Sequence, residues 1–214
     1  MKLPSRAARR ALALALAPCL LLAGCISVDI ASQTAPEFRE QRFLRTLVVA
    51  DVGMLHERTL AEDLIVKRLT SRRVDALRSL DVVFGADTLP EEAFLQHAAE
   101  AGADAVLILR VREEGDLARY FPTSTDSTFY TTEQDGVVLG QTSTHVYGGG
   151  TVIRPWASFR ATLIETATGK TAWFADASAD GTSSSSSGDL VKAVSEKVVA
   201  RLIEDGILKV EQRL

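Results

Sequence analysis

The side chains able to carry nucleophilic, acid–base or metal chemistry are few and scattered. The chain has three histidines, His56, His97 and His145, and no His-x-x-x-His or Glu-x-x-His spacing that would set two ligands on one helix face. His97 lies beside the apolar positions of a helical pattern, where a surface or hydrogen-bonded histidine is expected rather than a ligand. Serines are abundant, but none sits in Gly-x-Ser-x-Gly; Ser158 and Ser178 fall in or beside strand patterns, and residues 183–187 read as a flexible loop. Gly148-Gly149-Gly150 could cradle a phosphate, yet no Lys-Ser or Lys-Thr follows and no helix starts there, so it reads as a plain turn. No catalytic, cofactor-binding or metal-binding residue is assigned, and the expectation is that the protein is not an enzyme.

Of the two cysteines, Cys25 has informative neighbours. Lys2, Arg6, Arg9 and Arg10 form a basic head, residues 11–23 are apolar apart from Pro18 and Cys19, and Leu22-Ala23-Gly24 leads directly into Cys25. The apolar run is shorter than the roughly 20 residues of a membrane span and has the length of a signal h-region. This pattern resembles the lipobox of bacterial lipoproteins. The resemblance implies cleavage before Cys25, a diacylglyceryl thioether on its sulfur and an acyl chain such as palmitate on its amino group. Two or three chains give a stable anchor, because each buried methylene contributes about 0.8 kcal/mol. Ile26 follows, rather than the aspartate that retains many enterobacterial lipoproteins in the inner membrane, so the expected address is the periplasmic side of the outer membrane.

Removing residues 1–24 takes away four of the 24 basic residues and none of the 28 acidic ones, leaving a balance of −8. Such a charge argues against nucleic acid as a partner and against an electrostatic grip on anionic lipid. Cys25 would then be the one remaining cysteine, which leaves no intrachain disulfide and no cysteine-ligated metal. Stability must come from packing.

The elements that follow predict one α/β domain. Residues 25–42 are polar, contain Pro36 and read as a flexible tether, with folded structure from Phe43. Residues 43–51 form an apolar β-rich run. Thr59-Leu60-Ala61-Glu62 has the form of a capping box, followed by Leu60, Leu64, Ile65 and Leu69 at helical spacing. A second strand falls within 74–84, and Thr88-Leu89-Pro90-Glu91 opens a helix that buries Phe94, Leu95, Ala98 and Ala99 and closes at Gly102. Residues 103–111 are the clearest strand. Ala157, Phe159, Ala161 and Leu163 alternate with polar residues, Thr168-Gly169-Lys170 turns, and Thr171, Trp173, Ala175 and Ala177 return as a partner strand. Val191, Val194, Val198 and Leu202 line a last helix capped by Gly206. The order βαβαβ, antiparallel hairpin, helix predicts an α/β (α+β) sandwich on a mixed sheet over 43–214.

The stretch Ala101-Gly102-Ala103-Asp104-Ala105-Val106-Leu107, and the hairpin from Leu163 to Trp173 with its Thr-Gly-Lys turn, resemble the small α/β domain of a known group. It is shared by curli-secretion lipoproteins, lipoprotein activators of penicillin-binding proteins and the N-terminal domain of the Tol-system β-propeller protein. The resemblance implies a domain that binds other envelope proteins or assembles into rings and generally lacks a catalytic centre. Between 119 and 150 the chain is rich in Ser, Thr and Gly and reads as an insertion: a long hairpin, a mobile loop or an interaction surface. Tyr120, Phe121, Phe129, Tyr130 and Tyr147 within it suit either a partner surface or local packing. A membrane-crossing hairpin would need two strands of about 9–11 residues with an outward apolar band, and 137–153 shows too little alternation for one.

The sequence therefore reads as a lipid-anchored scaffold or accessory subunit that binds an envelope protein. An oligomeric subunit of a secretion or transport apparatus, and thus a homo-oligomer, is the alternative, and an envelope hydrolase comes third. Replacing Cys25→Ser is expected to abolish lipid attachment and leave the precursor uncleaved; unchanged membrane fractionation together with unchanged mature mass would refute it.

Overall fold

The computed structural model describes residues 26–83, 90–134 and 137–209. The signal sequence, Cys25 and the Thr88-Leu89 helix start lie outside the described residues. In chain order the elements are β1 (Ser27–Thr34), β2 (Arg45–Asp51), α1 (Leu55–Ser71), β3 (Asp75–Arg78), α2 (Ser79–Val82) and α3 (Glu91–Glu100), then β4 (Ala105–Phe121), β5 (Ser124–Gln134), β6 (Val137–Tyr147), β7 (Gly150–Glu165), β8 (Thr171–Asp180) and α4 (Ser187–Glu204). A six-stranded mixed sheet has the order β1-β8-β7-β4-β2-β3, and β5 and β6 form a separate two-stranded sheet. Strand β2 runs parallel to β3 and β4, whereas the β4–β7, β7–β8 and β1–β8 pairs are antiparallel. This is the mixed α/β class expected from the element order.

Helices α1 and α4 cover one face. Ile65 and Leu69 from α1, and Val191, Val194, Val198 and Leu202 from α4, meet Leu107, Leu109, Phe159, Leu163 and Trp173 from the sheet. Strand alternation puts every second residue of each strand toward these helices. Trp173 is fully buried, and its indole N–H donates to the Asp205 carboxylate at 2.7 Å, satisfying the one polar atom that burial would otherwise strand. On the opposite face α3 lays Phe94 and Ala98 against Leu47 and Val106. Ala99, expected inside, is exposed.

The expectation of a flexible tether over 25–42, with folding from Phe43, is corrected. Ser27–Thr34 pairs along its whole length with β8, from Ser27 opposite Asp180 to Thr34 opposite Trp173. Ile26, Val28 and Ile30 alternate and pack on the core, and Phe38, in the 3₁₀ turn Pro36–Phe38, is buried against Phe43. An edge strand needs apolar residues on one face only, so its polar composition misleads.

The first helix starts at Leu55, four residues before the anticipated Thr59 cap. The Thr59 hydroxyl instead donates back to the Leu55 carbonyl at 2.8 Å within the helix. Glu62 turns inward: fully buried, it accepts from Ala50 N–H (3.2 Å), Leu80 N–H (3.1 Å), the Ser79 hydroxyl (2.7 Å) and Arg58 (3.3 Å). That single carboxylate ties α1 to β2 and to the start of α2. At the other end of the chain Ser186 caps α4, with its hydroxyl accepting from Asp189 N–H and Ser187 already helical, so the 183–187 tract is not simply a loop.

Leu107→Asp is expected to remove the cooperative melt, because an unpaired carboxylate would enter a position with no exposed surface at a cost of about 4 kcal/mol or more, most of a small domain's stability. A melt at the wild-type temperature would show that the core lies elsewhere.

Candidate functional site

The strand expected to end at Val111 runs ten residues further. β4 spans 17 residues and β7 spans 16, and their ladder continues from Ala105 opposite Glu165 to Phe121 opposite Gly150, with one bulge between Val111 and Glu113. A bulge bends and twists the pair where it occurs. Beyond it the other strands stop: the last row crossing from β1 is Ser27, Asp180, Trp156 and Gly115. Residues 116–121 and 150–155 therefore leave the body as a two-stranded ribbon about 20 Å long at the usual rise per residue.

At Pro122 and Thr123 the ladder is interrupted, opposite Gly148 and Gly149. Both glycines have positive φ (81° and 77°), and a Cβ on Gly148 would stand 2.4 Å from the Pro122 carbonyl oxygen. Only glycine fits this joint. Past it, β5 and β6 pair from Ser124 opposite Tyr147 to Gln134 opposite Val137, adding about 35 Å. The insertion expected near 119–150 is thus a hairpin, in two ladders separated by a joint.

The five aromatic candidates all lie on it and all are exposed, from 38% at Phe121 to 65% at Phe129. The structure does not bring them together as one surface. Consecutive strand residues point to opposite faces, so Tyr120 and Phe121 are divided between the two sides, as are Phe129 and Tyr130. Tyr147 shares its face with Tyr130 and stacks on His145 at 6.2 Å between centroids. The Arg119 guanidinium lies 5.2 Å from the Phe121 ring centroid. Sequence reasoning missed Leu117, Val146 and Ile153, which are exposed on the same hairpin, and Met54 and Leu55, exposed at the start of α1. Their signal was available: isolated large apolar residues in otherwise polar surroundings.

The root of the ribbon closes one side of a cleft of about 630 Å³. Its apolar wall includes Val111, Phe159, Leu190 and Val191, and its rim includes Met54, Ile153, Glu114 and Asp116. Glu57, which also lines it, is held by the fold: its carboxylate accepts from the Ser187 hydroxyl at 2.5 Å and from Met54 N–H at 3.3 Å. Gly181 seats the loop before α4 on the root, donating its N–H to the Pro155 carbonyl at 2.8 Å. The histidines stand apart, with His56 on α1, His97 on α3, where its Nδ1 is 3.3 Å from Glu100, and His145 on β6. No group of three or more His, Cys, Asp or Glu side chains among the described residues could hold a metal ion. No helix among them is long and apolar enough to cross a membrane.

No known family model matches the chain, and no curated protein matches it. Among solved structures it is similar to the PelC dodecamer from Paraburkholderia phytofirmans, at 17% identity over 86% of this chain and 99% of that one, with a TM-score of 0.45. It is also similar to lipoprotein GNA1162 from Neisseria meningitidis, at 18% identity over 75% of this chain and 98% of that one, with a TM-score of 0.38. A PDZ domain protein from Parabacteroides distasonis matches at 10% identity over 92% of this chain and 40% of that one, with a TM-score of 0.35. At these levels the likenesses assign neither a family nor a task.

Beside the cleft and on the open sheet face, two carboxyls are held below the usual range. Two hydrogen bonds of 2.7 Å from the Arg160 guanidinium lower Asp176, and the backbone N–H and hydroxyl of Ser186 lower Asp189. Lowered folded values mean that the unfolded chain binds more protons in acid, so the stability these groups add is fully present about one pH unit above the ordinary aspartate value and is lost as the pH falls through the lowered ones. The melting temperature is expected to drop below about pH 4, and less steeply in Asp176→Asn/Asp189→Asn. Equal slopes in a melt series would remove these two groups as the cause.

Proposed function

We propose that this protein is a lipid-anchored accessory subunit of the cell envelope, held by lipid on Cys25, whose hairpin docks on another envelope protein. One observation carries the reading: the paired segments 116–134 and 137–155 extend beyond the last row of the body and, among the named strands, pair only with each other, while displaying exposed aromatics. A closed two-stranded ribbon gains little from water-exposed tyrosine and phenylalanine, and such residues are those that anchor protein interfaces. A rigid frame bearing a protruding element is also the usual way of presenting a binding surface.

The distal ladder is the part that meets the partner, because Phe129, Tyr130 and Tyr147 stand farthest from the body. Replacing these three with serine is expected to leave the melting temperature within a few degrees of wild type, since exposed side chains contribute little to the core. The same change should weaken partner capture by about tenfold or more, as measured by crosslinking in living cells from position 128 and co-purification. Retained capture, or a large loss of stability, would reject the docking role. Self-assembly into a ring is the competing reading, and analytical ultracentrifugation of the purified chain distinguishes it.

A further inference from the structure

The exposed large hydrophobic residues are unevenly distributed. Met54, Leu55, Leu117, Tyr120, Phe121, Phe129, Tyr130, Val146, Tyr147 and Ile153 lie on the hairpin or beside its root, leaving only Leu44 and Leu60 elsewhere among those described. Met54 and Ile153 edge the same cleft. Ladder register shows where this end of the molecule lies relative to the start of β1. Ser27, Asp180, Trp156 and Gly115 form one row across β1, β8, β7 and β4. Cys25 is two residues before Ser27, so chain reach keeps any lipid on it within about 7 Å of the Ser27 end of the row from which the ribbon departs.

We infer that this end, made of Met54, Leu55, Leu117, Tyr120 and Ile153, is a lipid-contact rim resting on the leaflet that holds the Cys25 lipid. The inference takes its orientation from the lipid anchor in the proposed function, while its occupant is lipid rather than protein. Three features favour a membrane surface. The ribbon root is apolar on both sides, with Ala118, Tyr120 and Ile153 on one and Leu117 and Phe121 on the other; fluid lipid wets both sides of a ribbon, whereas one docked globule covers one. Tyrosine, and arginines such as Arg119 and Arg154 with their long stems, suit the headgroup layer. Residues 122–149 contain no Lys or Arg, and the exposed carboxylate of Asp126 in β5 disfavours placing the distal ladder in hydrocarbon, which leaves the rim as the contact.

The contact is apolar and interfacial, so it is insensitive to salt and indifferent to anionic lipid. Residues 25–214 with Cys25→Ser, made without the signal, retain every described element and carry no acyl chain, so lipid attachment and rim contact are read separately. Phosphatidylcholine vesicles are the probe, with co-sedimentation and the fluorescence of Trp156, at the ribbon root, as readouts in a Trp173→Phe background that is first checked for a wild-type-like melt. Binding at both low and high salt with a blue shift is expected. Leu117→Ser/Tyr120→Ser/Ile153→Ser should weaken partitioning about tenfold or more at an unchanged melting temperature, and Phe129→Ser/Tyr130→Ser should not. Should Trp173→Phe fail to fold, co-sedimentation with the native tryptophans decides alone. No binding at millimolar lipid, binding only to anionic vesicles with loss in salt, or equal binding by the rim variant would each overturn the inference. Absence of vesicle binding alongside intact partner crosslinking would make the root a protein surface and leave the docking proposal standing.

Discussion

The antiparallel ladder between β4 and β7 is the constraint on which the other features rest. Within the body its inward residues, Leu107, Leu109, Phe159, Ala161 and Leu163, form the floor on which α1 and α4 pack. Beyond the body the same hydrogen bonds continue without a change of partner and carry the ribbon. The hairpin is therefore a continuation of the most buried strand pair, and its orientation is inherited from the core. The bulge after Val111 bends the pair while β8 and β1 still flank it, and the free-standing ribbon begins past the row of Gly115 and Trp156.

Much of the body was legible because its residues satisfy one period at a time. The alternation from Ala157 to Leu163, the turn at Gly169 with its φ of 68°, and the 3.6-residue spacing of Val191, Val194, Val198 and Leu202 each point to one element, and each is present. Two errors have a common physical source. Thr59 and Glu62 have the spacing of a capping pair, but the buried amides of Ala50 and Leu80 compete for the glutamate, and this long-range demand outweighs the local pattern. Strand β1 finds its partner about 150 residues away, and a polar edge strand has no local turn to announce that pairing.

The site was legible only in outline. Composition marked the 119–150 region and its aromatics, yet gave no register, because a ribbon with both sides in solvent is under no pressure to alternate polar and apolar residues. Register decides that neighbouring aromatics such as Phe129 and Tyr130 face opposite ways. It also decides that the ribbon root and the start of β1 share an end of the sheet. Neither relation can be read from spacing along the chain, since both depend on rows that cross four strands.

The pairing of β1 has a mechanical consequence. A lipid on Cys25 would be joined to a strand whose eight residues are all matched to β8, rather than to a slack leash. Tension applied along β1 loads its cross-strand bonds together, in shear, so none can be peeled away before its neighbours. With only Ile26 between that cysteine and the ladder, such a lipid would restrain thermal tumbling of the body against a bilayer, and force from a partner gripping the hairpin would pass through the sheet to the membrane with little compliance.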